Sequence, residues 1–451
     1  MRLTGARLRP ASPEPRPDAI LKAVEEGLDL RLDPACRAPI AVSFSGGGDS
    51  LALLLAARAW GRKVGRPVIA LTVDHRLQAQ SSVWTEQARM TARSLGIGFE
   101  ALAWTGDKPA HGLPSAARRA RHTLLARAAR EACARVILMG HTRDDVLESG
   151  IMRAEGSNVG QPRTWSPSPV WPEGRGLFLL RPLLGLRRAQ LRQMLGGTGL
   201  DWIEDPANDD SRYARARARR MLTEEGGDID IDGADDDCQA VAKLAKAAST
   251  DRFGVIRIDR SALAEAPHEA ARRFLAMAAV CAGGGERLPR AEQTARLLQR
   301  ILAGGQFATA LAGARVDASD RVQFMRNTGD LVRDLDAGAP PAGGAATVWD
   351  GRFELIGARH GLAVEPLQGK ATRLGPVERR RLKACAPAAR PALPVVRPDG
   401  ESVTCPILAD GAWTRARCLV GDRLLAASGV IAREDQLGAG PHGEPDPGVL
   451  S

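Results

Sequence analysis

No stretch of the 451 residues approaches the run of about 20 apolar side chains that a bilayer-spanning helix needs, which argues against a membrane protein. The opening MRLTGARLRPASPEPRP carries no apolar core of the kind a secretory signal requires. Residues 1–18 therefore read as a disordered leader on a cytoplasmic protein. Cysteines are few and poorly spaced for pairing: the seven, at 36, 133, 238, 281, 385, 405 and 418, never form Cys-x-x-Cys. That excludes a disulfide framework and a structural zinc site. Lysine is nearly missing, with seven residues against 56 arginines, so the net charge of +10 reflects an arginine-rich composition as much as any phosphate partner. Internal repeats are missing too. What is there, 44% hydrophobic and 26% charged, is an ordinary globular composition whose length suggests about three domains.

Between residues 39 and 200 short β-rich runs alternate with helical stretches. The runs are 40–45, 68–75, 99–104, 136–141 and 177–183, and helical spacing fills 49–60, 82–95, 114–133, 144–154 and 187–196. Continuous apolar strands alternating with helices predict a parallel sheet covered on both faces, a doubly wound α/β domain. After Asp201 the pattern changes. An arginine-rich segment at 212–220 precedes an acidic stretch at 226–237, and helical patterns follow at 238–248, 267–281 and 289–303. DAGAPPAGGAA at 336–346 reads as a flexible linker. Beyond it, VWDGRFELIG and ALPVVRPDG, with turns at Asp-Gly, predict a small β-rich domain. The division is 19–215 catalytic, 216–335 mainly helical, 347–435 β-rich, and a disordered tail from 436.

The first predicted strand runs into Ser45-Gly46-Gly47-Gly48-Asp49-Ser50, with a helix behind it. Three glycines let backbone N–H groups face one hollow, the helix N-terminus adds positive potential, and two serines can donate hydroxyl hydrogen bonds. That is a phosphate cradle. It lacks the Gly-Lys-Ser/Thr ending of a Walker A loop, and Asp49 falls where a dinucleotide fingerprint needs a small residue. A carboxylate beside a polyphosphate repels it unless a cation lies between them, so Asp49 implies Mg2+.

Two other strands end in Asp74-His75 and in His141-Thr142-Arg143-Asp144-Asp145-Val146-Leu147-Glu148. In an open α/β sheet the carboxyl ends of strands line the ligand crevice, so these polar groups should converge. Asp144 and Glu148, four apart on one helix face, repel each other. A bound cation, Mg2+ or a substrate ammonium, would relieve that. On helix 114–130, Arg118 and Arg121 share a face as two phosphate-directed guanidinium groups would. Downstream, Asp205-Pro206-Ala207-Asn208 looks like a turn, and Tyr213, Arg215, Arg217 and Arg219 open a basic segment that could track an RNA backbone.

These residues resemble the tRNA(Ile)-lysidine synthetase family, part of the N-type ATP pyrophosphatase group of the PP-loop superfamily. Ser45–Ser50 matches that group's Ser-Gly-Gly-x-Asp-Ser loop, and His141-x-x-Asp144-Asp145-x-x-Glu148 is similar to the family's His-x-x-Asp-Asp-x-x-Glu element. Ala117-Arg118-x-x-Arg121 is similar to its Ala-Arg-x-x-Arg-Tyr motif, with His122 in place of Tyr. Asp205-Pro-x-Asn208 followed by Arg215-Ala-Arg-Ala-Arg219 is similar to its Asp-Pro-x-Asn…Arg-Asn-x-Ile-Arg run, with Ala216 in place of Asn. The stretch after the acidic helix departs from the family, reading Arg153-Ala-Glu-Gly156-Ser157.

The resemblance, over roughly residues 38–220, implies an adenine nucleotide alpha hydrolase-like sheet, a helical middle domain and a small β-rich C-terminal domain that grips tRNA. It implies an enzyme with ATP as co-substrate, Mg2+, L-lysine, and the tRNA(Ile) bearing a CAU anticodon. ATP would adenylate the 2-oxo oxygen of the wobble cytidine, and the lysine ε-amine would then displace AMP. Ser45, Gly46, Gly47, Gly48, Asp49 and Ser50, with Asp74 and His75, would hold the nucleotide, and Asp49 the Mg2+. Arg118 would neutralise charge near the α-phosphate or grip tRNA. Asp144, Asp145 and Glu148 would bind the lysine ammonium or a second Mg2+, and a carboxylate would accept the amine's proton. His141, Arg121, Arg215 and Arg219 would contact substrate.

Rival readings are weaker. A tRNA thiolase needs motif-placed cysteines, an amidotransferase needs a source of ammonia, and a non-catalytic RNA-binding relative has no reason to keep all the acids. Asp228-x-Asp230-x-Asp232-Gly233 resembles a calcium loop, but Gln239 stands where a bidentate Glu belongs. An acidic solvated loop is the expectation there.

Overall fold

The computed structural model describes residues 17–155, 165–167, 171–204, 214–225, 234–334, 347–357, 363–397, 403–409 and 414–437. The Asp205–Asn208 turn, Tyr213, Gly156-Ser157, the acidic residues 228–233 and the 336–346 linker lie outside the described residues. The chain forms two compact units, 1–232 together with 431–451, and 233–430.

In the first unit, α1 (Pro17–Arg31) leads to β1 (Ile40–Ser43), α2 (Gly48–Val64), β2 (Val68–Asp74), α3 (Ser81–Ser94) and β3 (Gly98–Ala103). There follow α4 (Leu113–Glu131), β4 (Val136–Met139), α5 (Arg143–Ala154), β5 (Trp165–Pro167), β6 (Phe178–Leu180), α6 (Arg188–Gly196) and α7 (Ala214–Glu225). The sheet order is β3-β2-β1-β4-β6-β5. Five strands are parallel, and β5 runs antiparallel against β6 at one edge.

The strands read as unbroken apolar runs because helices cover both faces. Val42 and Leu138 pack into a core with Leu28, Leu51, Leu54 and Leu191, from α1, α2 and α6. Their neighbours Ala41, Ile137 and Met139 pack on the other side against Leu125 and Ala129 of α4. The chain adds β2 and β3 on one side of β1, then crosses back to add β4 and β6 on the other. The strand order thus reverses between β1 and β4, and the crevice at their carboxyl ends is the switch point where such sheets bind ligands.

Three expectations need correction. The predicted leader reached residue 18, but α1 starts at Pro17 and buries Ile20, Val24 and Leu28 along one face. The β-rich domain was expected to run to 435 and a disordered tail from 436. Instead Ile431–Leu437 belongs to the first unit, Leu437 reaches its core, and the rest of the predicted tail lies outside the described residues. The cause is Glu434, whose carboxylate accepts two hydrogen bonds from the Arg66 guanidinium (2.7 and 2.5 Å) and one from the Asp33 backbone (3.0 Å). Both side chains are at most 1% exposed. Partners 368 residues apart leave no local sequence signal.

The second unit combines helices Ala234–Ala247, Arg260–Glu265, His268–Gly283 and Ala291–Leu302 with a five-stranded antiparallel sheet. That sheet runs Ser249–Thr250, Ile256–Asp259, Arg321–Arg326, Ala314–Ala318, Phe307–Leu311, a feature the helical reading of 216–335 did not include. Beyond 346 come a three-stranded and a two-stranded antiparallel sheet. Among the described residues no helix is long and apolar enough to cross a membrane.

Candidate active site

The Ser45–Ser50 loop leaves β1 and enters the first turn of α2. Ser50 donates its hydroxyl to the Gly47 carbonyl (2.9 Å) and accepts the Ser45 N–H (3.2 Å), which folds the loop back on itself. Gly46 has φ +80°, and a Cβ there would lie 2.4 Å from the end of the Ile203 side chain. The Ile203 N–H in turn donates to the Gly46 carbonyl (2.9 Å), so the 202–203 segment props the loop from outside. Gly140, just after β4, is a second close approach: a Cβ there would lie 3.3 Å from the backbone of Asp49. With no side chain at 140, the loop after β4 comes up against the start of α2.

From that β4 loop springs α5. The Asp145 carboxylate accepts the backbone N–H of Thr142 through Oδ2 (2.7 Å), which caps the helix and fixes the side chain. Asp144, Asp145 and Glu148 then face Asp49 across the switch point. Their counter-charge is arginine. Arg188, the first residue of α6, donates from Nε to Asp49 Oδ2 (3.0 Å), from one terminal nitrogen to Glu148 Oε1 (2.5 Å) and from the other to Asp145 Oδ1 (2.9 Å). Its backbone N–H reaches Asp144 Oδ2 (2.8 Å). From α7, Arg215 pairs with Glu148 Oε2 (2.9 Å) and Asp145 Oδ1 (3.0 Å), and Arg219 with Glu148 Oε1 (3.1 Å). Burial would raise the Asp145 carboxyl, but Arg188 and Arg215 outweigh it and hold the group below the usual carboxylate range. Asp49 goes the other way, since burial outweighs its single contact with Arg188 and lifts it.

A cation does lie among these acids, and the protein supplies it: the Arg188 guanidinium meets Asp49, Asp145 and Glu148, while Asp144 takes the Arg188 backbone N–H and pairs with Arg187 (3.6 Å). Sequence reading passed over Arg188. One signal was available: Arg187 and Arg188 open a helix, where basic side chains oppose the dipole and acids are the rule.

Around the acids lies a second, basic set. Arg118 is exposed on α4, and Arg121 is partly covered. Among the described residues Arg121 Nε, His122 Nε2 and His141 Nδ1 are buried without a hydrogen-bond partner. Burial, with Arg118 and Arg215 adding like charge, brings Arg121 down to about 10. Burial, then Arg181, brings His141 down to about 3, so it is neutral at physiological pH. The unpartnered Arg121 Nε–H, with the like charges of Arg118 and Arg215 near it, suits an anion. Asp74 and His75 have local work: Asp74 Oδ1 accepts the Arg76 N–H (2.8 Å) in a turn where Arg76 has φ +52°, and His75 Nε2 lies 3.2 Å from the Ala117 carbonyl.

Asp49 also bears on Mg2+. Among the described residues no group of three or more His, Cys, Asp or Glu is arranged to hold a metal. Mg2+ commonly needs only one or two carboxylates, completed by waters and substrate phosphates. Asp49, with Oδ2 on Arg188 and its side chain 27% exposed, fits that role.

Residues 21–226 match the family model described as PP-loop domain. Over 421 residues the chain is 48% identical to tRNA(Ile)-lysidine synthase of Caulobacter vibrioides, covering 92% of this chain and 99% of that protein. It is 38% identical to tRNA(Ile)-lysidine synthase of Hyphomonas neptunium, with 66% and 83% covered, and 34% to that of Brucella anthropi, with 70% and 74% covered. A glycine hollow facing an acid-bearing helix, on a sheet of this order and with likeness running nearly end to end, leads to one assignment: the chain belongs to the tRNA(Ile)-lysidine synthase family.

Proposed function

We propose that this protein uses ATP to join L-lysine to the wobble cytidine of the tRNA(Ile) whose anticodon is CAU. The supporting observation is the meeting of the Ser45–Ser50 hollow and the Asp144–Glu148 helix at one switch point, bridged by Arg188. ATP lies with its phosphates in the hollow, met by backbone N–H groups and the serine hydroxyls at the start of α2. Asp49 would hold Mg2+, which would supply charge stabilisation for a leaving pyrophosphate. The cytidine 2-oxo oxygen attacks the α-phosphorus and pyrophosphate leaves. Arg118 and Arg121 balance the charge on the α-phosphate, helped by the unpartnered Arg121 Nε. The lysine ε-amine then attacks C2, and the C2–O bond breaks with the oxygen departing on AMP.

The amine must be unprotonated to attack, so a carboxylate accepts its proton. Glu148 has both oxygens held by arginines and no exposed surface, whereas Asp144 keeps 19% of its side chain open. Asp144 therefore meets the ammonium first. In the second unit, Arg379, Arg380 and Lys383 are exposed on or just after helix Pro376–Leu382 and suit tRNA phosphates. The work is done in the cytoplasm, where tRNA, lysine and ATP are at hand.

The test is incubation with ATP, Mg2+, labelled lysine and CAU-anticodon tRNA(Ile). Label in the RNA, with pyrophosphate and AMP released, is expected, and Asp49→Ala should lower the rate by about 1,000-fold, near the loss seen on removing a key charge-stabilising group. Unlabelled RNA overturns the reading. Binding of the tRNA without pyrophosphate release would favour a non-catalytic relative.

A further inference from the structure

We propose that Arg188 is a positioning residue, its guanidinium setting the separation between the nucleotide loop and the acid-bearing helix. This deepens the ligase reading and rests on it. Asp49 stands on α2, behind β1; Asp145 and Glu148 stand on α5, behind β4. Along the chain the two sets are separated by β2, α3, β3, α4 and β4. Arg188 ties them together directly, with three nitrogens on three carboxylates from the two helices and its backbone N–H on a fourth, Asp144.

Charge balance alone does not account for this arrangement. Arg215 and Arg219 already neutralise Asp145 and Glu148, yet among the described residues their ion pairs reach α5 and not Asp49. The arm from Arg188 Nε to Asp49 adds a span between the elements. A guanidinium is a flat fork with fixed angles, so three acceptors bound to it are held at fixed relative positions. A lysine ammonium, a point charge on a flexible stem, does not impose that geometry. The location is itself costly, since a cation at a helix N-terminus opposes the dipole. The side chain is also only 18% exposed, so its place is set by these contacts.

The consequence lies in coupling. Adenylation takes place at the loop and amine delivery at the acid helix, and the tether keeps the amine in reach of the activated carbon. Without it the adenylated cytidine still forms, but water takes C2: the C2–O bond to AMP breaks, a C2–O bond to water forms, and after proton loss cytidine and AMP are left.

The measurement is pyrophosphate released against lysine incorporated, with the full-length protein, ATP, Mg2+, labelled lysine and CAU-anticodon tRNA(Ile). Wild type, Arg188→Gln and Arg188→Lys are compared, with thermal unfolding of each. Wild type should release pyrophosphate and incorporate lysine in equal amounts. In Arg188→Gln lysine incorporation should fall by about 100-fold, the scale of a misplacement near 1 Å, while pyrophosphate release exceeds it and the KM for lysine rises. Arg188→Lys, which keeps the charge and guards against a misfolded glutamine variant, should also be uncoupled. Two results overturn the proposal: both products falling in step with their ratio unchanged, or full coupling in Arg188→Lys. A wild type that puts no lysine into RNA fails differently, removing the ligase reading and this one with it.

Discussion

Glu148 shows how the site is held at the scale of one residue. It has no exposed surface, and a carboxylate so buried would be untenable alone; Arg188, Arg215 and Arg219 each donate to it. Nearby, His122 is the reverse case: 3% exposed, with Nε2 unpartnered among the described residues and arginines around it. Burial first, then Arg121, Arg118 and Arg181, bring it down to about 2. An unfolded histidine titrates near 6.5. Between the two values the unfolded chain holds more protons at this position, so stability is full above about 6.5 and declines as the pH drops toward 2. The slope from one such group is at most about 1.4 kcal/mol per pH unit. His122→Phe should therefore lose less thermal stability than wild type between pH 7 and pH 5. Parallel losses in the two proteins would contradict the burial argument.

At the scale of elements, the parallel strands and their helices were legible because each carries its own period. The predicted run 136–141 became Val136–Met139, and the predicted helix 144–154 became Arg143–Ala154. The antiparallel sheet of the second unit was not legible. Its strand Ala314–Ala318 is ARVDA, which alternates buried and exposed positions correctly but with alanine, arginine and aspartate, residues of little strand preference. The Ser45–Ser50 turn is the element whose geometry is most demanding. At Gly46 a side chain would carry the cost of the left-handed region, about 1 kcal/mol or more, and would also press on Ile203. Gly46→Ala should lower the thermal midpoint and weaken ATP binding about tenfold, the equivalent of 1.4 kcal/mol, measurable by titration calorimetry. Unchanged nucleotide affinity would mean that the loop tolerates the strain elsewhere.

The first unit as a whole is closed by chain from both ends of the sequence. Arg66 and Glu434 form a two-pronged pair sealed from solvent, and Arg135 donates to the Leu437 carbonyl (2.7 Å). Removing one member of a buried pair strands the other charge, at a cost of about 3–5 kcal/mol. Glu434→Ala should lower stability by that amount in denaturant unfolding, although the residue is far from Asp49 in sequence. Replacing both partners with apolar residues should recover much of the loss, and equal instability in the single and double variants would argue against the stranded-charge account.

Local chemistry settled a good deal by itself. A glycine-rich turn after an apolar strand, an aspartate where no nucleotide loop of the commoner kinds has one, and acids at a helix start are short-range patterns, and short-range patterns are written in neighbouring residues. Those same patterns pointed to a cation among the acids without saying whose. Only the folded chain decided that it is Arg188, some forty residues beyond Glu148, and that Glu434 belongs with Arg66. An ion pair constrains where two charges meet in space and leaves the intervening chain free, so its partners carry no spacing by which a sequence could announce them.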